Sequence, residues 1–283
     1  MRIVRTTKEL QQQANQWRSN GLTIGLVPTM GFFHEGHLSL MREARRKCDR
    51  VITTLFVNPM QFGPNEDLDS YPRSFERDQQ MAEGEGVDLL FCPDPSEMYG
   101  EQFQTKISLD KVSQGLCGAD RPGHFDGVAT VVTKLFNLAK PHKAVFGQKD
   151  FQQLALIRQL VADLNFDIEI IGHPIVREED GLAMSSRNKY LDANERKIAV
   201  CLSQAIGQAK KMLADAGGSL PAQEIITMAE SMIEQHPECS VEYVSIVHQS
   251  TLRPMEIADG ESVLAMAMKV NNKVRLIDNS PLC

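Results

Sequence analysis

Two histidines three residues apart, His34 and His37, follow a short apolar run that ends at Val27 and a turn that contains Pro28 and Gly31. The pattern predicts a strand, a tight turn and then a helix that begins near Glu35, with both imidazoles on one helix face. The amino end of such a helix, at the carboxyl edge of a parallel sheet, offers N–H groups to an anion. Two histidines there could both reach the phosphates of a nucleotide. Competing readings are a helix cap plus a surface histidine, or two ligands of an incomplete zinc site.

A second group lies at Ser185, Ser186 and Arg187, just before a helical run. Hydroxyls can hold phosphate oxygens while a guanidinium neutralises them, although an N-cap beside a solvated arginine would read the same way. A third lies in FGQKDFQQ at 146–153: Gly147 permits close backbone approach, Lys149 brings a mobile cation to a strand end, and Asp150 can cap the next helix. Two neutral amides, Gln61 and Gln153, each close to a strand end, can hydrogen-bond both a carboxylate and a hydroxyl without a full charge.

These groups need a scaffold that brings strand ends together. The first half alternates β-rich runs at 22–27, 51–57, 87–91, 143–146 and 168–171 with helical patterns at 38–47, 75–84, 128–139 and 151–164. That alternation predicts a doubly wound parallel sheet covered by helices. Character changes near residue 177, where two long helical patterns (193–214 and 221–236) precede strands near 241–247, 262–270 and 274–277. The predicted architecture is therefore a Rossmann-like α/β domain over 1–176 followed by a smaller α+β domain over 177–283.

Bulk properties narrow the function classes. The 283 residues, 42% hydrophobic and 24% charged, suit a globular chain of about two domains. A net charge of −7 disfavours a protein that covers a nucleic-acid backbone with positive charge. No stretch of 18 consecutive apolar residues predicts a membrane span, and the amino terminus lacks the apolar core of a secretory signal. The six cysteines show no C-x-x-C pair, which fits reduced thiols in a cytoplasm.

The histidine and Ser-Ser-Arg motifs together resemble the paired signatures of the nucleotidyltransferase superfamily. The resemblance becomes closer over PTMGFFHEGH (28–37), VNPMQFGPNEDLDSYPR (57–73), RPGHFDGVATVV (121–132), FGQKDFQQL (146–154) and REEDGLAMSSRN (177–188). In order and spacing these are similar to the pantothenate synthetase (pantoate-β-alanine ligase) family, with Phe33 standing where the family pattern has leucine. The resemblance implies attack of the (R)-pantoate carboxylate on the α-phosphorus of ATP, then attack of β-alanine on the adenylate to give pantothenate and AMP. It implies that His34, His37, Lys149 and Arg187 serve the phosphates, with His37 acting as acid or charge stabiliser. Met30, Gly31, Gly147, Gln148, Lys149, Asp150, Met184, Ser185 and Ser186 would line the nucleotide, and Val176 would meet adenine by main chain. Gln61 and Gln153 would hold pantoate, with Gln61 also near β-alanine. Magnesium would arrive on ATP with no protein ligand assigned; Asp67, Asp69 and Asp78 read as solvated carboxylates. A homodimer is implied, with neither nucleic acid nor membrane as partner. Rival readings are another adenylyl- or cytidylyltransferase, an aminoacyl-tRNA synthetase, and a non-catalytic nucleotide sensor.

Overall fold

The structure is a computed structural model and describes residues 1–64 and 66–283; residue 65, inside the VNPMQFGPNEDLDSYPR motif, lies outside the described residues. By packing the chain separates into two units. The first comprises Met1–Ser113, Arg121–Gln148 and Leu156–Pro174, and the second comprises Gln114–Asp120, Lys149–Ala155 and Ile175–Cys283. The change of character near residue 177 thus lies close to the passage at Pro174–Ile175. Two short excursions, invisible to composition, also belong with the second unit.

In chain order the elements are β1 (Arg2–Val4), α1 (Thr7–Ser19), β2 (Ile24–Val27), α2 (Glu35–Lys47), β3 (Arg50–Thr54), α3 (Phe75–Gly84), β4 (Leu89–Phe91) and α4 (Pro95–Met98). Then come α5 (Leu116–Asp120), α6 (His124–Ala139), β5 (Lys143–Gly147), α7 (Phe151–Asp163) and β6 (Glu169–His173). The remainder is α8 (Ala193–Ala199), α9 (Cys201–Asp215), β7 (Leu220–Pro221), α10 (Ala222–Glu234), β8 (Cys239–His248), β9 (Ile257–Ala258), β10 (Ser262–Val270) and β11 (Val274–Pro281).

Unit 1 is a six-stranded parallel sheet in the order β1-β4-β3-β2-β5-β6, the doubly wound α/β fold that the alternation predicts. Val27, Val51, Leu90 and Val145 are buried on one face with Leu40, Met41 and Ala44 of α2 and Ala82 of α3. Alternate residues such as Leu26, Ile52, Leu89 and Ala144 are equally buried and must face the other side, where α1 and α6 pack on each other. From β2 the chain builds outward through β3 and β4, then returns to place β5 on the other flank of β2. The loops leaving β2 and β5 therefore emerge side by side at the carboxyl edge, where the strand order reverses.

Three local readings differ from the structure. The strand expected over 51–57 stops at Thr54, although the Leu55 and Phe56 N–H groups still donate to the Phe91 and Thr29 carbonyls at 2.8 and 3.1 Å. The edge strand β1, only three residues long, carries too little pattern to be read from sequence. The helix expected over 193–214 is two helices that meet at Val200.

Unit 2 centres on an antiparallel sheet in the order β8-β10-β11. Its middle strand β10 is buried along almost its whole length. Helices α9 and α10 bury Leu202, Ala205, Ile206, Ile225, Ala229 and Ile233 in one cluster with Leu264, Met266 and Met268 of that strand. Among the described residues no helix is long and apolar enough to cross a membrane.

Candidate active site

After β2 the chain makes a turn that needs left-handed backbone at two consecutive positions, Gly31 (φ +89°) and Phe32 (φ +53°). A side chain at Gly31 would meet the Asp78 carboxylate at 3.1 Å and Leu55 at 3.2 Å, so glycine is required twice over. Asp78 of α3 holds the turn: its two oxygens accept the N–H groups of Phe32 (2.6 Å) and Phe33 (2.8 Å). Arg77 donates to the Phe33 carbonyl at 2.9 Å and lies over the Phe32 ring. The Phe33 side chain is fully buried in the sheet–α2 core, an anchor of about 1.5–3 kcal/mol.

The expectation that Asp78 is solvated is corrected here. It is 0% exposed, and burial pushes its carboxyl above the usual range despite the N–H groups of Phe33 and Phe32 and the nearby Arg77. A carboxylate of one helix is spent on fixing the turn that precedes another.

His34 is the N-cap of α2. Its Nδ1 accepts the Gly36 N–H at 3.1 Å, while Nδ1 of His37 accepts the His34 N–H at 3.4 Å, a capping box made of two imidazoles. The ring centroids are 4.1 Å apart. Capping and phosphate contact, rivals on sequence alone, are compatible here. Because each Nδ1 accepts, each neutral ring carries its proton on Nε2 and presents a donor there. The first-turn N–H groups of α2 add the positive end of the helix dipole.

Gln61 sits at the end of a 3₁₀ turn, Pro59–Gln61, capped by Asn58. Its Nε2 lies 3.0 Å from Met30 Sδ, so two residues assigned to different ligands are neighbours. Asn58 Nδ2 donates to Gln61 Oε1 (3.1 Å) and to the Gly127 carbonyl (3.1 Å), and Tyr99 donates its hydroxyl to Asn58 Oδ1 at 2.7 Å. Gly127 lets α6 meet this turn: a Cβ there would lie 2.2 Å from the Met60 carbonyl oxygen. His124 Nδ1 donates to the Gln61 carbonyl at 2.8 Å, and its Nε2 accepts from Arg121 at 3.0 Å. Arg121 also holds Glu66 with two bonds, 2.7 and 2.5 Å. Burial pushes the Glu66 carboxyl up, but the hydrogen bonds and charge of Arg121 outweigh it, so its pKa lies below the usual value.

Beside this region, β5 ends at Gly147, paired with His173, and the Gln148 N–H donates to the His173 carbonyl at 2.8 Å. A Cβ at Gly147 would meet none of the described protein atoms within 4 Å. Neither packing nor positive φ demands that glycine.

In unit 2, Lys149 and Asp150 precede α7, and the Asp150 carbonyl accepts the Leu154 N–H at 2.9 Å. Lys149 keeps some surface as a residue. Its ammonium is nevertheless held below the usual lysine pKa, chiefly by burial and further by the Arg187 and Arg275 charges, against Asp150 and Asp278. Gln153 lies in the first turn of α7 and is half-buried, next to the buried Gln152, whose Nε2 donates to the carbonyls of Gln114 (3.2 Å) and Gly115 (3.1 Å).

The residues from Val176 to Asn188 form a hairpin-like loop. The Met184 N–H donates to the Val176 carbonyl at 3.0 Å, Arg177 bridges to Ala183, and Gly181 turns the chain at φ +94°. Ser185 caps a 3₁₀ turn, Ser186–Tyr190, accepting the Arg187 N–H at 3.3 Å. Asn188, buried, ties the loop to Glu178 and to the Ala183 carbonyl, each at 3.1 Å. Glu178 is paired with Arg196 at 2.6 Å.

Within unit 1, then, Met30, Gly31, His34, His37 and Gln61 gather around the turn after β2, next to the strand that ends at Gly147 and is followed by Gln148. Within unit 2, Val176 and Met184 are hydrogen-bonded, and Ser185, Ser186 and Arg187 continue from them, while Lys149, Asp150 and Gln153 open α7. Sequence reasoning missed Asn58, Asp78, Arg121, His124, Gly127, Asp278 and Asn279. Asn58, Arg121, His124 and Gly127 lie inside quoted motifs, where a polar residue just after a strand and a glycine inside an apolar helix were usable signals.

A family model described as Pantoate-beta-alanine ligase matches residues 2–281. A pantothenate synthetase of Desulfotalea psychrophila is 54% identical over all of this chain and 99% of its own length, and one from Pelobacter propionicus is 51% identical over 100% and 98%. The solved pantothenate synthetase of Thermus thermophilus superposes with a TM-score of 0.91 at 44% identity, covering 100% of this chain and 99% of that one. The Francisella tularensis pantoate-beta-alanine ligase, described as complexed with beta-gamma ATP and beta-alanine, gives 0.82 at 32% identity, covering 100% and 98%. Motifs, fold and these likenesses agree: the chain belongs to the pantoate-β-alanine ligase family.

Proposed function

We propose that this chain is an ATP-dependent ligase that joins (R)-pantoate to β-alanine, releasing pantothenate, AMP and pyrophosphate. The observation that carries the reading is the two-histidine capping box, which fixes two Nε2–H donors at the amino end of α2, at the sheet's switch point. The Francisella relative's complex with beta-gamma ATP and beta-alanine supports two of the three substrates.

In the first step a pantoate carboxylate oxygen attacks the α-phosphorus, and the bond to the β-phosphate oxygen breaks with its electron pair leaving on pyrophosphate. His34 and His37 donate to phosphate oxygens as charge builds there, His37 foremost. Lys149 and Arg187 take up the pyrophosphate charge, with Ser185 and Ser186 as hydroxyl donors. A desolvated ammonium gains more from an arriving phosphate than a solvated one does, which gives the depressed pKa of Lys149 a use. In the second step the β-alanine nitrogen attacks the acyl carbon, loses a proton, and expels AMP.

Gln61 and Gln153 hold pantoate with neutral donors, which leaves the carboxylate nucleophilic, and Gln61 also lies near β-alanine. Met30, Gly31, Gly147, Gln148, Asp150 and Met184 line the nucleotide. Val176 meets adenine through main chain, although its carbonyl already accepts from Met184. A glycine demanded by neither packing nor backbone angle, as at Gly147, suits close approach by a ligand. Magnesium would arrive on the ATP phosphates, with no protein ligand assigned. A cytoplasmic homodimer, with residues 1–176 binding ATP and pantoate and 177–283 supplying the Ser185–Arg187 loop, completes the reading.

The test is product analysis. Steady AMP release requires both pantoate and β-alanine, and with pantoate alone a single turnover yields pyrophosphate. Release of AMP that is indifferent to either acid, or a nucleotide-linked final product by mass spectrometry, overturns it.

A further inference from the structure

We propose that Asp278 and Asn279, adjacent residues on the last strand β11, are positioning residues that hold the Lys149 turn and the loop leading to Ser185–Arg187 in one frame. The proposal rests on the reading of Lys149 and Arg187 as phosphate-binding cations.

Neighbouring residues in a strand point to opposite faces, and these two use both. Asp278 is 2% exposed, and a carboxylate so buried must be paired. Its oxygens take a bidentate grip on Arg177, Nη1 to Oδ2 at 2.6 Å and Nη2 to Oδ1 at 2.9 Å, and Oδ1 also accepts the Asn279 N–H at 2.8 Å. Arg177 in turn donates to the Gly181 carbonyl at 3.0 Å and bridges by its backbone to Ala183, so the guanidinium closes the hairpin that runs straight into Met184–Arg187. On the other face Asn279 Nδ2 donates to the Lys149 carbonyl at 2.8 Å. The strand itself is rigidly seated, with Asp278 opposite Met266 and Asn279 opposite Ala265 of the buried β10.

Asp278 has a second consequence for Lys149. Among the described residues, the charges that weigh most on this lysine are Asp150 and Asp278 on one side of the balance and Arg187 and Arg275 on the other. Neutralising Asp278 leaves the lysine among two cations and one anion, so it sheds its proton at lower pH. A scaffold residue without electrostatic contact would not move that titration.

The test compares Asp278→Asn, Asp278→Glu and Asn279→Ala by pH profiles of kcat/KM for ATP and by calorimetric titration with ATP alone. Asp278→Asn is expected to lose about tenfold or more in kcat/KM for ATP and to move the alkaline limb down by about half a pH unit or more, with KM for pantoate little changed. Asp278→Glu, which keeps the charge, restores the limb. Asn279→Ala loses about threefold to tenfold, the scale of one hydrogen bond, with the limb in place. A folded Asp278→Asn with the wild-type limb and ATP affinity overturns the proposal. Should that variant not fold, an Asn279→Ala protein with unchanged kcat/KM for ATP and unchanged ATP affinity overturns it as well. Failure of the ligase reading is a different result: wild-type protein that releases no AMP with pantoate and β-alanine, whatever the variants do to ATP binding.

Discussion

The His34–His37 turn is held by partners two and three positions apart, with Asp78 and Arg77 as distant supports, whereas Lys149 and the Ser185–Arg187 loop depend on bonds that span 130 and 101 positions. The two sets are proposed to serve the same phosphates, yet they are built in opposite ways. A capping box forms whenever its helix forms, so the histidine donors are fixed by local geometry. The lysine and arginine are placed only when the last strand of the chain has docked. Substitutions near the histidines should therefore strip chemistry and spare the fold, while those that hold the second set should change geometry, titration and stability together.

The largest expected effect tests the first half of that contrast. His37→Ala removes one preorganised donor and a long 3.4 Å capping bond. Turnover should fall about a hundredfold or more, about 2.7 kcal/mol in the barrier, while thermal stability changes by less than about 0.5 kcal/mol. Pantoate-dependent ATP–pyrophosphate exchange checks the first number and a melting curve the second. Unchanged exchange removes His37 from the chemistry; a large stability loss removes the claim that this turn is local.

Gly127→Ala asks whether a third region, the Gln61 turn, behaves like the first or the second. Alanine in the first turn of α6 should gain at most about 1 kcal/mol in helix propensity. The added Cβ, however, would sit 2.2 Å from the Met60 carbonyl and 2.6 Å from the Gln61 nitrogen, both backbone atoms that cannot swing aside. Overpacking of this kind costs about 1–3 kcal/mol, so the net result is a loss, accompanied by a higher KM for pantoate with ATP affinity kept. A variant more stable than wild type, as propensity alone demands, would show that the turn yields.

The same contrast explains what could be read beforehand. Strand β2, the turn, the start of α2 near Glu35 and the two histidines announce themselves within a short stretch, since apolar run, glycine and cap are all local signals. The doubly wound order follows because alternation of strand and helix is itself a local pattern repeated. Asp78 was not legible: its helix reads as an ordinary amphipathic one, and nothing near it in sequence reveals that the two N–H groups it accepts lie 45 and 46 positions earlier. Asp278 and Asn279 lie in an ordinary Asp-Asn-Ser triplet whose partners are 101 and 130 positions away. The excursions of 114–120 and 149–155 into unit 2 escape notice for the same reason: which sheet a loop joins is decided by tertiary packing.

The smallest effect bears on the support behind Gln61. Arg121, which donates to the Gln61 carbonyl and to His124, is paired with Glu66 across 55 positions. The folded-state pKa of Glu66 lies below the unfolded value, so the pair's contribution is fully present above about pH 4.5 and is lost as pH falls through the depressed folded value. Glu66→Gln keeps a hydrogen-bonding side chain but no charge, so the variant should be less stable than wild type by about 1 kcal/mol or less at pH 7. The gap should be smaller at about pH 3, because below the unfolded value of 4.5 each further fall in pH favours the protonated carboxyl that the pairing disfavours. Urea midpoints of both proteins at the two pH values measure it, and a gap that stays constant or widens in acid contradicts the pairing. Because Arg121 keeps its bonds to His124 and to the Gln61 carbonyl, KM for pantoate should rise by less than about threefold, within the worth of one hydrogen bond. A rise as large as that of Gly127→Ala would place Glu66 with the long-range clamps of unit 2, as a residue whose loss displaces the site, and would show that the Gln61 turn shares their dependence on distant partners.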